Sequence, residues 1–398
     1  MKNKPLSAIF LIVFIDLLGF GLILPLLPYY AETFGASDTV VGLLVASYAA
    51  AQLIGAPLLG RLSDRLGRRP VLLVSLAGTL LGFLLLGFAN TLLILFIARI
   101  LDGLTGGNIS VAQAYISDVT DAKNRAKGLG IIGAAFGLGF IIGPASGGLL
   151  SQWGYAVPAF VAAGLVTINL IMVAMWLPES LTPEKRAAMT EKKPAVTLSA
   201  LITALKRPFS GSLLITRFFF GLAFAIFQTI FALYALRRFN LGAQQTGFIL
   251  TYVGILSVVV QGGLVGHLSQ RYRDDVLIFA SVGIMALSLL GWALTPSVLV
   301  LLVILAPTAF AGGILNTVLS SALTKAVQPQ EIGGILGLSA SIESLTRVIA
   351  PTLGGILLER LGAWSPGAFG ALLLAGLFVY VWIAIYNHPL AQPAPVIQ

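Results

Sequence analysis

Apolar runs of about 20 residues recur along the whole chain, and each is long enough to cross the hydrocarbon core of a bilayer as a helix. Short polar or glycine- and proline-containing segments separate them. The sequence therefore predicts an all-α integral membrane protein with twelve transmembrane helices. The predicted spans are 6–30, 39–59, 70–89, 91–117, 127–150, 155–177, 211–237, 244–268, 276–294, 297–324, 332–359 and 366–386.

Composition excludes several other classes of protein. With 58% hydrophobic and 10% charged residues, the 398-residue chain cannot solvate the surface of a globule. It has no cysteine, and its two histidines, His267 and His388, are too few for a metal cluster, so no metal site is predicted. No GxxxxGK[ST] loop is present, which disfavours ATP as the energy source. No Ser/His or His/Asp constellation suggests an enzyme.

Basic residues predict the orientation of the chain. All but six of the 24 Lys and Arg lie in the N-terminus and in alternate loops. The positive-inside rule places those segments, and with them both termini, in the cytoplasm. The net charge of +9 is therefore a topology signal, and no nucleic-acid partner is predicted. Lys2 and Lys4 precede an apolar run that contains Asp16 and lacks a small-residue cleavage site, which indicates a retained first span.

An internal repeat divides the chain into two halves. Four landmarks recur about 206 residues apart. They are GASDTVVG with NLGAQQTG, LLGRLSDR with LVGHLSQR, the pair Gly106–Gly107 with Gly312–Gly313, and GPASGGLL with APTLGGIL. The repeat predicts two pseudo-symmetric six-helix bundles related by an axis along the membrane normal. The expected domains are an N-terminal bundle (1–177), a cytoplasmic linker (178–210), a C-terminal bundle (211–386) and a cytoplasmic tail (387–398).

Residues 60–69, GRLSDRLGRR, carry five charges between two apolar runs. Four of the five are Arg, so this segment is predicted to be a tight turn at the cytoplasmic surface. Gly60 and Gly67 would allow close approach where a Cβ would obstruct. In the second copy Gln270 stands where the first has Asp64, so the acid is present on one side only.

Charged residues inside predicted spans are candidate functional residues, because a charge within the bilayer is costly unless it is paired or hydrated. In span four, a helical step of about 100° places Arg99, Asp102, Gly106, Ser110 and Gln113 on one face. Asp102 is a local partner for Arg99, and a static neutral pair remains an open alternative. Asp16 has no charged partner in its own helix, so it could carry a proton.

The C-terminal half offers a second set of charges. Glu343 and Arg347 have the i,i+4 spacing of an ion pair, which could be a coupling site or a structural pair. Arg217 and Gln228 share a face of span seven. Four phenylalanines, Phe220, Phe224, Phe227 and Phe231, form a stripe that could face lipid, the core or a cavity. The candidate cavity residues are Asn108, Gln113, Arg217, Phe224, Gln228, Tyr234 and Asn316.

Span five carries glycines at i, i+4 and i+8, namely Gly139, Gly143 and Gly147, which form a flat face for helix contact. Pro144 removes a helical hydrogen bond and favours a bend. Plain close packing and a seal on the outer side are both compatible with this pattern.

These motifs resemble a known family. GRLSDRLGRRP is similar to the signature between spans two and three of the major facilitator superfamily. The set Gly139, Gly143, Pro144, Gly147 and Gly148 resembles the span-five motif of its drug/proton antiporter branch. Arg99, the glycines that follow it and AYISD at 114–118 resemble the fourth span of that branch. The opening FIDLLGFGLILPLLPYY is most similar to the tetracycline/proton antiporter group.

The resemblance implies a proton-coupled secondary active transporter. It would be an antiporter that exports amphiphilic small molecules, such as drugs or tetracycline-like compounds, by alternating access. It would need no cofactor beyond the proton gradient and would act as a monomer in the cytoplasmic (inner) membrane of a bacterium. Its partners would be protons, membrane lipids and a small-molecule substrate. A proton symporter or facilitator of a polar nutrient or lipid-like solute remains the alternative.

The resemblance also implies residue roles. Asp16 matches the proton-linked acid of span one and Arg99 the arginine of span four, which would modulate it. Asp102, Glu343 and Arg347 are further candidates for proton coupling. The gating residues would be Gly60, Asp64, Arg65, Gly67, Arg68, Arg69 and Asp118. Within this set Asp64 would act on the N-terminal end of span eleven and Arg68 would pair with Asp118. The span-five motif would close the outer side.

Overall fold

The computed structural model describes residues 4–121, 125–181, 204, 205, 207 and 209–387. Most of the predicted linker and all but the first residue of the predicted tail lie outside these residues. The first eight helices are α1 (Lys4–Ile23), α2 (Leu27–Glu32), α3 (Asp38–Leu66), α4 (Arg68–Gly87), α5 (Leu92–Thr105), α6 (Asn108–Val119), α7 (Arg125–Leu150) and α8 (Ala156–Trp176). The next seven are α9 (Ser210–Phe239), α10 (Ala243–Val259), α11 (Val265–Arg271), α12 (Asp274–Leu294), α13 (Val298–Lys325), α14 (Ile332–Leu361) and α15 (Ser365–Val381).

The predicted all-α membrane fold class is confirmed. Within the described part of the chain, eleven helical segments are long and apolar enough to span a membrane, and Ile9–Ile23 is a shorter apolar helix. One of the eleven, Leu92–Val119, consists of α5 and α6 together, and Ala243–Arg271 joins α10 to α11 through a π-helical turn at Val260–Leu264. The described residues contain no β-strand.

Three predicted spans differ from the observed helices for local reasons. The first span ends at Ile23 and resumes as α2, because Pro25 and Pro28 interrupt the helical hydrogen bonds. The predicted turn at 60–69 is mostly helical, since α3 continues to Leu66 and α4 begins at Arg68. The reversal is made by Gly67 alone, whose φ of 110° suits glycine.

The chain divides into two compact units that differ from the predicted bundles. The first contains Met1–Lys193 together with Ala232–Ile255, and the second contains Pro194–Phe231 and Leu256–Gln398. The C-terminal part of α9 and most of α10 thus belong to the first unit. The predicted boundaries at 177 and 211 stay a prediction.

The equivalent helices α4 and α12 pack against corresponding neighbours in the two units. In the first, α4 packs against α5 and α8, and α1 packs against α7 and α8. In the second, α12, which corresponds to α4 in the repeat, packs against α13 and α15. Interior positions are filled by Leu, Ile, Val, Ala and aromatic side chains, so the buried charges described below stand out from an apolar background.

Candidate functional sites

A hydrogen bond joins the predicted proton carrier to a predicted cavity residue. Asn108 Nδ2 donates to Asp16 Oδ1 at 2.8 Å. Asn108 is the first residue of α6 and is buried, and its Oδ1 has no partner among the described residues. Asp16 is half-buried on α1. The carboxyl group of Asp16 therefore has a neutral amide as its hydrogen-bond partner.

The fourth span is broken at Gly106 and Gly107, between α5 and α6. Ser75 of α4 donates to the carbonyl of Thr105, and the N–H of Gly107 donates to the same hydroxyl at 3.3 Å. Gln52 of α3 donates to the carbonyl of Gly106 at 3.1 Å. Side chains thus replace hydrogen bonds that a continuous helix would have made, as irregular backbone inside a membrane protein requires.

The break corrects one sequence prediction. Of the five residues expected on a single face, Arg99 and Asp102 lie on α5 and Gly106 lies in the break. Ser110 and Gln113 lie on α6, and Gln113 is exposed. Sequence reasoning also missed Ser75 and Gln52. The available signal was a hydroxyl and an amide within apolar runs, together with a glycine pair in the middle of a span.

Arg99 and Asp102 form a buried pair within α5. Arg99 Nη1 lies 3.0 Å from Asp102 Oδ2, and the two side chains are 2% and 5% exposed. The Arg99 guanidinium also stacks over the ring of Tyr48, 4.3 Å from its centroid. Gln52, which holds the break, donates to the Tyr48 hydroxyl at 3.0 Å. Arg99 is thereby neutralised and linked to the break, and its role as a modulator of Asp16 stays a prediction.

Arg68 holds together the end of the first unit at which α3 turns into α4. Its Nε donates to Asp118 Oδ2 at 3.0 Å, and its Nη1 contacts Asp64 Oδ1 at 2.6 Å. Nη1 also donates to Ser63 Oγ at 2.7 Å. The structure therefore brings the predicted partners Arg68 and Asp118 together and adds Asp64. Action of Asp64 on the end of span eleven stays a prediction.

Other residues of the predicted turn have different surroundings. Gly60 faces open space, so no close approach requires a glycine there. Arg65 is exposed, whereas Arg69 donates to the carbonyl of Ala174 at 2.5 Å.

Glu179, which sequence reasoning missed, caps the start of α4. Its Oε1 accepts the backbone N–H of Arg68 at 2.9 Å, and Oε2 accepts that of Arg69 at 3.1 Å. A carboxylate at a helix N-terminus is stabilised by the unpaired N–H groups and the helix dipole. Glu179 follows span six and thus ties the end of that span to the turn after Gly67. The available signal was an acid directly after an apolar run.

The span-five glycines contact α1 through backbone. A Cβ at Gly143 would lie 2.7 Å from the Cα of Gly21, and one at Gly139 would lie 2.9 Å from the Cβ of Leu17. A Cβ at Gly147 would collide with the carbonyl oxygen of Leu22. On its other side, α7 meets α10, where a Cβ at Gly148 would lie 2.9 Å from the Cα of Gln244. The helix continues through Pro144.

The same end of the first unit carries a polar network that sequence reasoning missed. Arg237 Nη2 donates to Asp38 Oδ1 at 2.8 Å, and Nη1 donates to Glu32 Oε1 at 2.6 Å. Tyr29 and Thr246 share a hydrogen bond of 2.7 Å between their hydroxyls. These bonds and the span-five glycines join the C-terminal part of α9 and the start of α10 to the helices around α1.

A three-helix charge cluster lies in the second unit. Arg217 of α9 donates through Nη2 to Glu343 of α14, and through Nη1 to Asn316 Oδ1 of α13 at 3.2 Å. The expected partner of Glu343 was Arg347, one turn further along α14. The structure pairs Glu343 with Arg217 across two helices, and the Glu343–Arg347 pair stays a prediction.

The phenylalanine stripe is part of the core of the second unit. Phe220, Phe227 and Phe231 are buried, and Phe227 packs edge-to-face on Trp292 with ring centroids 5.2 Å apart. Phe224 packs against Gly312, where a Cβ would lie 2.9 Å from its ring. Three of the four phenylalanines therefore belong to the core, and a cavity role for the half-buried Phe224 stays a prediction.

Two further predicted cavity residues differ from each other. Tyr234 is fully buried in the first unit and packs edge-to-face with Phe239, with centroids 5.8 Å apart. Gln228 is exposed on α9.

In the described part of the chain, no cluster of three or more His, Cys, Asp or Glu residues could hold a metal ion.

These features define a class, a multi-pass helical membrane transporter with charges buried among its helices. The model of the Major Facilitator Superfamily matches residues 9–306 and 264–398, and the chain belongs to this superfamily. The chain is 35% identical to the class H tetracycline resistance protein of Pasteurella multocida, over 100% of this chain and 99% of that one. It is 32% identical to the class B protein of Escherichia coli, over 97% and 95%. The resemblance drawn from the motifs is thereby confirmed.

A broader set of relatives supports the same family. Multidrug resistance protein 2 of Bacillus subtilis (strain 168) is 30% identical, over 93% of each chain. Among solved structures, the human organic anion transporter MFSD10 has a TM-score of 0.70 at 22% identity, over 96% of this chain and 99% of that one. A mutant of the nucleoside transporter NupG has a TM-score of 0.77 at 15% identity, over 96% and 100%. At these identities the structures show the fold alone.

Proposed function

We propose that this chain is a proton-driven antiporter that exports an amphiphilic small molecule, with tetracycline-like compounds among its substrates. The homology to tetracycline resistance proteins and to a multidrug resistance protein supports this function. The structural observation that carries it is the hydrogen bond from Asn108 to Asp16. A carboxyl group inside a helix bundle, with a neutral partner, can take up and release a proton without breaking an ion pair.

In this proposal Asp16 is the proton carrier, and Asn108 orients its carboxyl group. Arg99, Asp102, Glu343 and Arg347 influence coupling through their charge. The segment from Gly60 to Arg69 acts with Asp118 and Glu179 as a cytoplasmic latch. The span-five glycines and the Arg237 network close the outer side. Two states of these contacts would provide alternating access.

The proposed setting is the inner membrane of a bacterium, with both termini in the cytoplasm and the chain acting as a monomer. The proton gradient is the energy source, and no cofactor takes part. The excess of Lys and Arg in alternate loops supports this orientation.

The direction of coupled flux tests the proposal. The full chain is reconstituted in liposomes whose lumen is acidic or alkaline relative to the outside. Tetracycline is added outside, and the proton flux that accompanies its uptake is followed with an enclosed pH-sensitive dye. Antiport predicts that tetracycline accumulates in vesicles with an acidic lumen and that the lumenal pH rises, because protons leave as tetracycline enters. Protein-free liposomes and collapse of the gradient by nigericin are the controls.

Accumulation in vesicles with an alkaline lumen would instead show symport. Uptake equal to that of protein-free liposomes under both gradients would exclude tetracycline as a substrate. Repeating the assay with ethidium then separates a wrong substrate from a wrong mechanism, since a multidrug antiporter should move the dye against protons.

A further inference from the structure

The helices of the second unit hold more positive than negative charge away from their ends. Arg217 and Arg347 both lie within spans. Among the described residues of this unit, Glu343 is the acid that lies away from helix ends, since the others are in or next to a first or last turn. Arg347 lies close enough to Arg217 for their charges to interact, so the cluster of Arg217, Glu343 and Arg347 has a net charge of +1 when all three are ionised. A net charge inside a bundle needs a counter-ion or water to be tolerated.

The cluster is built so that an outside group can reach it. The Arg217 side chain is 7% exposed and is held by partners on α13 and α14, which fixes its guanidinium. The Glu343 side chain is 32% exposed and Arg347 is exposed. An anchored guanidinium presents a fork of N–H donors that matches the two oxygens of a carboxylate. The bond to Glu343 shows that the Arg217 guanidinium binds a carboxylate.

The buried arginine of the first unit lacks these properties. Arg99 is neutralised by Asp102 in its own helix, stacked on Tyr48 and closed off from solvent. Together with Asp16, the buried pair Arg99 and Asp102 gives a net charge of −1 when all three are ionised. An excess of positive charge is therefore a property of the second cluster.

We infer that the cluster of Arg217, Glu343 and Arg347 binds the anionic group of the transported amphiphile, a carboxylate in the first instance. Glu343 occupies the place of that group on Arg217 when no substrate is bound. The substrate class is then an amphiphile that carries an acidic group, including zwitterions. This inference rests on the proposed function for its statement that the bound molecule is exported.

Two dyes that differ in one group test the inference. Rhodamine 110 has a free carboxylate, and rhodamine 123 is its methyl ester on the same ring system. Binding of each to the purified full chain in lipid nanodiscs is measured by fluorescence anisotropy. The wild type should bind rhodamine 110 about tenfold more tightly, since an ionic hydrogen bond is gained. Equal binding, or no binding of rhodamine 110, would overturn the inference.

Variants locate the preference on the cluster. Arg217→Gln should reduce the preference for rhodamine 110 to less than about twofold, because the anchored fork is lost. Because this change leaves Glu343 without its partner, the double variant Arg217→Gln/Glu343→Gln is measured as well. Glu343→Gln alone should strengthen binding of rhodamine 110, since the competing carboxylate is removed. Arg360→Gln, an exposed arginine on the same helix, is the matched control and should change nothing.

An unchanged preference in both Arg217 variants would contradict the site. Comparison with the flux assay separates this result from failure of the proposed function. A carboxylate preference without proton-coupled transport would support the anion site and contradict the proposed antiport. Proton-coupled transport without a preference for rhodamine 110 would contradict the anion site alone.

Discussion

The two copies of the repeat share a glycine pair in the middle of a span but fold differently there. At Gly106–Gly107 the fourth span breaks into α5 and α6, whereas at Gly312–Gly313 helix α13 runs unbroken from Val298 to Lys325. Glycine therefore permits a break without causing one.

The neighbouring helices account for the difference. Ser75 and Gln52 bind the backbone groups that the break exposes. When Gly60 is aligned with Gly266, Gln52 corresponds to Val258, whereas Ser75 corresponds to the buried Ser281. The second copy thus lacks the amide, and its helix keeps its own hydrogen bonds.

The charge clusters of the two units also differ in a way that suggests divided roles. In the first, the arginine is neutralised inside one helix, and a second acid, Asp16, is bound by a neutral amide. In the second, the acid is paired across helices with Arg217, and Arg347 adds positive charge. The first arrangement suits exchange of protons, and the second suits binding of an anion.

The largest expected effect comes from exchanging the acids of the two clusters for amides. Asp16→Asn should reduce proton-driven transport to the level of protein-free vesicles, because an amide cannot carry the proton. Glu343→Gln should retain coupled transport at an altered rate, because its charge influences coupling but does not carry the proton. The measurement is proton flux in vesicles with an imposed gradient. Loss of coupled transport in Glu343→Gln but not in Asp16→Asn would mean that the second cluster, and not the first, carries the proton.

The span-five motif and its second copy offer reciprocal substitutions. Gly143 contacts the backbone of Gly21, and the equivalent position in α14 is Ala350, which is fully buried. Gly143→Ala should lower the free energy of unfolding by about 1–3 kcal/mol, because backbone cannot move aside as a side chain can. Ala350→Gly should lower it by about 1 kcal/mol or less.

Thermal unfolding in detergent measures both changes. Gly164→Ala is the control for the added methyl group, since a Cβ there meets nothing within 4 Å. A loss in Gly143→Ala no greater than in Gly164→Ala would show that the close contact with α1 is unimportant for stability.

The helix break can be tested through Ser75. Ser75→Ala should cost about 1 kcal/mol of stability, because the carbonyl of Thr105 and the N–H of Gly107 lose their partner. Amide exchange at Gly107, followed by hydrogen–deuterium exchange and mass spectrometry, should become faster. The equivalent change in the second unit, Ser281→Ala, should leave exchange around Gly313 unchanged, because α13 is unbroken there. If Ser75→Ala does not alter exchange at Gly107, the hydroxyl does not hold the break.

The smallest effect is expected at an exposed pair of the second unit. Arg207 Nη2 donates to Glu331 Oε1 at 2.8 Å, and this bond lowers the pKa of Glu331 below its usual value. The ionised acid therefore stabilises the folded state above the pKa of glutamate in the unfolded chain. That contribution is lost as the pH falls through the lowered pKa. Solvent and salt screen the pair, so its effect is small beside those of the buried clusters.

The melting temperature of Glu331→Gln, measured from neutral to acidic pH, checks this sign. The variant should be less stable than the wild type at neutral pH, and the difference should vanish in acid. Arg207→Gln should show the same dependence. A difference that grows as the pH falls would contradict the assignment.

The sequence by itself determined the membrane class, the repeat and the family, because each depends on patterns along one chain. Apolar length reports a span, and glycine spacing reports a helix face. The Arg99–Asp102 pair could be predicted for the same reason, since both residues belong to one helix and are three positions apart.

Only the tertiary structure decided which residues meet across helices. It paired Glu343 with Arg217, capped α4 with Glu179 and broke the fourth span where Ser75 and Gln52 could bind it. Such contacts depend on the rotation and depth of each helix relative to its neighbours. Apolar spans fit the bilayer in many rotations, so these quantities are set by packing and buried polar contacts.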